Sequence, residues 1–132
     1  MLIDLTQGAI GYYDFGINSE KNFICYSIRL CNFGTSTYQS AADTATHIHA
    51  AARGQSGPPR ISFPNPAYEG SADERVSMGC LKGPFQTGLL DAAGVDTGKG
   101  FHVSEIERNP AMFFADVHTN VAVPGAVRGQ IA

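Results

Sequence analysis

Chemistry is densest in the segment Thr46-His47-Ile48-His49. A period of two puts both imidazoles on one face of a strand, with Ile48 on the other. Imidazoles at that spacing can grip one ion, and their nitrogens suit copper or zinc. A third ligand from a second strand would complete a usable geometry. His118, in Ala115-Asp116-Val117-His118-Thr119, is the candidate for that ligand, and His102 is the remaining histidine of the chain's four. The rings of His47, His49 and His118 would serve equally in acid/base catalysis without a metal, because an imidazole titrates near ~6.5. In a purely structural reading their nitrogens are satisfied by backbone carbonyls or by Asp43, Asp116 and Thr119.

Arg53, Arg60 and Arg128 stand in Gly- and Pro-rich surroundings and could clamp the carboxylate of a small-molecule substrate with paired N–H donors. Tyr26, with Tyr12, Tyr13 and Tyr38, could offer phenolic hydroxyls to a pocket, or lie in a core with its polar tip satisfied. The chain has no catalytic carboxylate pair, no Gly-x-Ser-x-Gly elbow, no phosphate loop and no Cys-x-x-Cys. Conventional hydrolase and nucleotide chemistry are therefore disfavoured.

The elements that must carry these residues are short. Fifteen Gly and seven Pro punctuate brief β-branched and aromatic runs over 132 residues, the pattern of strands and loops. Strands are expected at Gly8 to Phe15, Asn22 to Cys31, Ala45 to Ala50, Ile61 to Pro64, Val76 to Leu81, Met112 to His118 and Ala126 to Ile131. Together they suit an all-β, two-sheet sandwich forming a single domain over residues 1–132. In the second strand the even residues Ile24, Tyr26, Ile28 and Leu30 form the apolar face, so Cys25 and Cys31 share the other. One short helix is expected over residues 103–108, starting near His102 or Ser104 and ended by Asn109-Pro110. Residues 54–59 and 65–74 read as surface loops.

Charged residues make up 16% of the chain and the net charge is −3. The nine Lys and Arg form no basic stripe, so nucleic acid is not an expected partner. No apolar run approaches the ~20 residues that span a bilayer, so no membrane partner is expected either. The exposed edges of a sandwich leave room for a homodimer. Three cysteines permit one disulfide with a spare thiol, or three reduced residues. Met1 to Gln7 shows no secretory signal and no Asn-x-Ser/Thr sequon occurs, which points toward an intracellular protein.

In combination, Gly11-Tyr12-Tyr13-Asp14-Phe15-Gly16, Thr46-His47-Ile48-His49, Gly54-Gln55-Ser56-Gly57-Pro58-Pro59-Arg60, Gly79-Cys80-Leu81-Lys82-Gly83-Pro84 and Val123-Pro124-Gly125-Ala126-Val127-Arg128-Gly129-Gln130 resemble the fungal members of the CHRD (chordin-domain) family. The resemblance runs from about residue 8 to the end. It implies a Greek-key β-sandwich similar in shape to the copper/zinc superoxide dismutases, a disulfide between Cys25 and Cys80 with Cys31 as an extra thiol, and a secreted protein. It also likens His47 and His49 to the copper pair borne on a dismutase strand, and His118 to the ligand near the C-terminus. A bridging histidine and a carboxylate to complete a zinc site have no counterpart in the resemblance, so a mononuclear site without dismutase activity is expected. Three functions follow: a copper- or zinc-binding domain, a cofactor-free cyclase, isomerase or dehydratase acting on a fungal metabolite, or an extracellular structural and interaction module.

Overall fold

The computed structural model describes residues 2–3, 8–68, 73–120 and 126–132. A two-residue strand β1 (Leu2–Ile3) pairs with the long strand β2 (Ile10–Asn18). A turn through residues 19–22 then returns the chain as β3 (Phe23–Cys31). The turn closes because Asn18 Oδ1 accepts the Lys21 N–H and Asn22 adopts a positive φ of 50°, a conformation that Asn tolerates better than most residues. In β3, Ile24, Ile28 and Leu30 are fully buried and Tyr26 is nearly so, which makes the even face the inner one.

Next come β4 (Thr46–Ala50), β5 (Pro59–Phe63), the two-residue β6 (Ala67–Tyr68) and β7 (Glu74–Lys82). A short helix α1 (Ser104–Arg108) and a 3-10 turn (Pro110–Met112) precede β8 (Phe113–Val117) and β9 (Val127–Gln130). Two antiparallel sheets result, in the orders β1-β2-β3-β7-β6 and β5-β4-β8-β9. Their inner faces interdigitate over Ile24, Ile28, Leu30, Ile48, Ile61, Phe63, Val117 and Val127. The protein is thus the expected all-β sandwich with one short helix. Among the described residues no helix is long and apolar enough to cross a membrane.

Two local expectations are corrected. Part of the expected loop over residues 65–74 pairs as β6 against β7, in the register Ala67↔Val76 and Tyr68↔Arg75, while residues 69–72 lie outside those described. Residues 121–125 of the C-terminal motif and residues 4–7 of the N-terminus also lie outside them. The helix starts at Ser104, as expected, with Val103 at the N-cap position and the His102 Nδ1 accepting the Ser104 N–H at 3.1 Å. Its start is also held by Asn22 Oδ1, which accepts the Val103 N–H across the molecule. Pro59 belongs to β5 rather than to the preceding loop.

Cys25 and Cys80 are directly opposed on β3 and β7 and form a disulfide on the outer face, leaving Cys31 as a free thiol. Arg75 of β7 is only 4% exposed and anchors the segment that leaves β3. Its Nη2 lies within hydrogen-bonding reach of the Gly34 and Ser36 carbonyls, at 3.0 and 2.8 Å, and its guanidinium sits 4.8 to 5.6 Å from the ring centroids of Phe33, Tyr38 and Tyr68. An Arg75→Met variant keeps the aliphatic stem but leaves both carbonyls without this donor. It should lose about 2 kcal/mol of stability, read from the urea midpoint at unchanged slope.

The sheet β5-β4-β8-β9 is buried on both faces at its centre. All five residues of β8 are buried, as are His47 and His49 on the face of β4 that points away from the core. The cover comes from two segments without regular structure, residues 38–45 and 83–103. They are tied together by the Asp43 N–H donating to the Thr87 carbonyl at 2.7 Å, and to β5 by Arg60 Nη1 donating to the Thr97 carbonyl at 2.7 Å. The Asp96 carboxylate organises the second segment by accepting the backbone N–H groups of Thr87, Gly88 and Gly98, bonds that outweigh its desolvation and hold its pKa below the ordinary range.

Candidate functional site

The register of β4 against β8 sets His47 opposite Asp116 and His49 opposite Phe114. Because Asp116 and His118 are two residues apart, their side chains start on the same covered face as the two histidines of β4. His47, His49, Asp116 and His118 consequently meet, with one ligand atom from each lying within 4.8 Å of every other. His49 Nε2 is 2.9 Å from Asp116 Oδ1, His118 Nε2 is 3.0 Å from Asp116 Oδ2, and the two Nε2 atoms are 3.4 Å apart. His47 Nδ1 stands 3.9 Å from Asp116 Oδ1.

Two backbone carbonyls decide which nitrogens face inward. A carbonyl only accepts, so His47 Nε2 donates to Thr44 O at 2.7 Å and His49 Nδ1 donates to Gly57 O at 2.8 Å. In the neutral rings, the lone pairs of His47 Nδ1 and His49 Nε2 are left on the cluster side. His47 Nδ1 and Asp116 Oδ1 are both buried without a hydrogen-bond partner. The 2.9 Å contact from Asp116 Oδ1 to His49 is therefore an ion-pair distance lacking hydrogen-bond alignment. His49 Nε2 is within hydrogen-bonding reach of His118 Nε2, so the unsatisfied members are His47 Nδ1 and Asp116 Oδ1.

The electrostatics agree with lone pairs turned inward. Burial, opposed by the Asp116 carboxylate and reinforced by the neighbouring imidazoles, lowers the His47 pKa to about 4. That ring is neutral at physiological pH. Burial alone would raise the Asp116 pKa, but contacts with His118 and His49 bring it below the ordinary carboxylate value, so Asp116 is ionised.

His49 is further fixed by its neighbours on β8 and β9. Its ring lies parallel to Phe114 with centroids 4.7 Å apart and 1° between the planes. The Arg128 guanidinium sits 3.5 Å from the Phe114 centroid. Gly57 can present its carbonyl to His49 because it passes tightly over β4: a Cβ there would fall 1.9 Å from the Ala50 carbonyl oxygen. A Gly57→Ala variant must move this backbone and with it the His49 acceptor. The imidazole resonances of His49 should shift accordingly relative to the parent, measured by NMR.

The other candidates lie outside this cluster. His102 is at the start of α1, where its Nδ1 is 2.8 Å from Ser104 Oγ. Arg53 is exposed, Arg60 is engaged by Thr97, and Arg128 serves the Phe114 ring. Tyr26 points into the core with its ring 4.8 Å from Phe63, Tyr38 donates to the Pro66 carbonyl, and Tyr12 lies under Arg29 on the outer face of the other sheet. The Tyr13 phenol is buried, which raises its pKa. Asp116 was the missing member. Its signal was present in the sequence, since Asp116-Val117-His118 repeats the spacing of His47-Ile48-His49 on the adjacent strand.

Three imidazole nitrogens and one carboxylate oxygen form a donor set suited to a borderline divalent ion such as zinc or copper(II). Ligand atoms ~2.0–2.1 Å from a tetrahedral ion are roughly 3.3 Å apart, close to the 3.4 Å between the Nε2 atoms of His49 and His118. The other separations run from 2.9 to 3.9 Å, with all within 4.8 Å, so the residues could hold such an ion after the wider pairs draw inward. A family model described as the CHRD domain matches residues 3–131 of the chain. No curated protein and no solved structure matches it.

Proposed function

The chain belongs to the CHRD-domain family, and from that premise we propose that its sandwich is built around a mononuclear zinc or copper centre held by His47 Nδ1, His49 Nε2, His118 Nε2 and Asp116. The observation that carries this reading is the unsatisfied convergence of buried acceptors. The Thr44 and Gly57 carbonyls fix the inward lone pairs of His47 and His49, while His47 Nδ1 and Asp116 Oδ1 have no hydrogen-bond partner. A single proton shared between His49 and Asp116 would neutralise one contact and still leave His47 Nδ1 alone. One cation at the centre would serve all four groups.

A bound ion would supply Lewis acidity at the cleft beside the cluster. The protein's own contribution is to hold the rings in fixed tautomers, to keep His47 neutral, and to bury the carboxylate that offsets the ionic charge. The test is elemental analysis of protein stripped with a chelator, loaded with zinc or copper and desalted. One ion per chain is expected for at least one of the two metals, with His102→Ala retaining it. Retention of neither metal would overturn the reading.

A second reading is supported by the His118–Asp116 contact of 3.0 Å at the cleft, a carboxylate–imidazole pair of the kind that moves protons. In that case the domain is a cofactor-free isomerase, cyclase or dehydratase. Turnover of a candidate substrate by stripped protein, lost in His118→Gln, would favour it.

A further inference from the structure

A cleft of about 180 Å³ opens beside the cluster, with the imidazoles of His47, His49 and His118 as its polar floor. Its walls are Ala41 and Ala42 from one covering segment, Leu89 from the other and Pro59 from β5. None of the residues lining it is Lys or Arg. The Ser40 hydroxyl oxygen at its rim already accepts the Ala42 N–H at 3.1 Å. Negative charge stands close by. The Asp116 carboxylate lies 2.9 and 3.0 Å from the Nε2 atoms of two of the floor imidazoles, and the exposed Asp43 carboxylate packs against Gly88, next to Leu89, where an added Cβ would fall 2.0 Å from Asp43 Oδ1.

From this lining we infer that the cleft takes a small uncharged ligand with an apolar body, no larger than a single six-membered ring, and that the metal-free protein rejects anions there. The inference rests on the cluster being the functional site, and it names the class of molecule that reaches it. The size limit follows from volume, since a cavity of about 150 Å³ accepts benzene. Preference for an apolar body follows from walls that reward burial of carbon and offer few polar partners. Discrimination against anions in the metal-free protein follows because an anion would exchange its hydration for aliphatic walls beside the Asp116 carboxylate, with no Lys or Arg among the described lining residues to receive it.

The test follows the imidazole ring resonances of His49 and His118. In stripped protein, benzene should shift both signals saturably, with half-saturation on the order of 1 mM. In the same stripped protein, azide should leave both signals unshifted at concentrations that saturate the benzene response. Ala42→Phe, filling the cleft from one wall, should abolish the benzene response without changing zinc stoichiometry. Leu89→Trp does the same from the opposite wall should the first variant fail to fold. Absence of a saturable benzene shift, or an azide shift of the same resonances at or below the benzene concentration, overturns the inference. Failure to retain zinc counts against the metal centre alone, and the benzene titration then decides the cleft.

Discussion

Replacing His49 with alanine is expected to weaken zinc or copper binding by roughly 100- to 1,000-fold, measured by competition with a chromophoric chelator. The magnitude follows from the ~10–16 kcal/mol with which four protein ligands typically hold structural zinc, an average of about 2.5–4 kcal/mol each. His49 is the most informative position because it is the most constrained ligand. Its Nδ1 is committed to the Gly57 carbonyl, its face is stacked on Phe114, and its Nε2 points at both Asp116 and His118. A ring held in this way loses little further freedom on binding an ion, so its removal forfeits most of the gross interaction. His118→Ala should cost a comparable amount, and Gly57→Ala less, because the latter disturbs only the partner of a ligand. Binding by His49→Ala within threefold of the parent, in protein shown by circular dichroism to be folded, would remove His49 from the centre.

The same geometry separates what the residues announced from what they did not. Parity within a strand is a local property, so the inner face of β3 and the shared face of His47 and His49 could be read directly from alternation. The pairing of His47 with Asp116 is a matter of register between strands far apart in sequence. Two identical spacings, His-x-His and Asp-x-His, hinted at it, yet the carboxylate first presented itself as a hydrogen-bond partner rather than a ligand. Burial of the outer face was not legible at all. It arises because residues 83–103, with little regular structure, are folded by Asp96, Arg60 and Asp43 contacts into a cover. Such bonds leave no periodic trace in a sequence. Leu89 and Ala42, which wall the cleft, therefore carried no signal, and neither did the packing of Arg128 against Phe114.

Covering that face has an energetic consequence that acid should expose. The native His47 pKa is lowered to about 4 from an ordinary value of 6.5, chiefly by burial. In the unfolded chain His47 takes up a proton as the pH falls through ~6.5, whereas the metal-free native protein takes it up only near 4. Between those values the unfolded state binds more protons, so native stability falls with falling pH. A shift of that size corresponds to about 3 kcal/mol, fully retained above pH ~6.5 and lost by pH ~4. Asp116, whose native pKa is also depressed, adds a further loss of the same sign below the unfolded carboxylate range. Urea denaturation of stripped protein at successive pH values should show the decline directly. His47→Gln can still donate to the Thr44 carbonyl but cannot titrate, so its decline between pH 6.5 and 4 should be shallower by most of that amount. Equal slopes for the two proteins would mean that the cover opens to water on protonation, and that the face bearing the cluster is not buried in the way the structure describes.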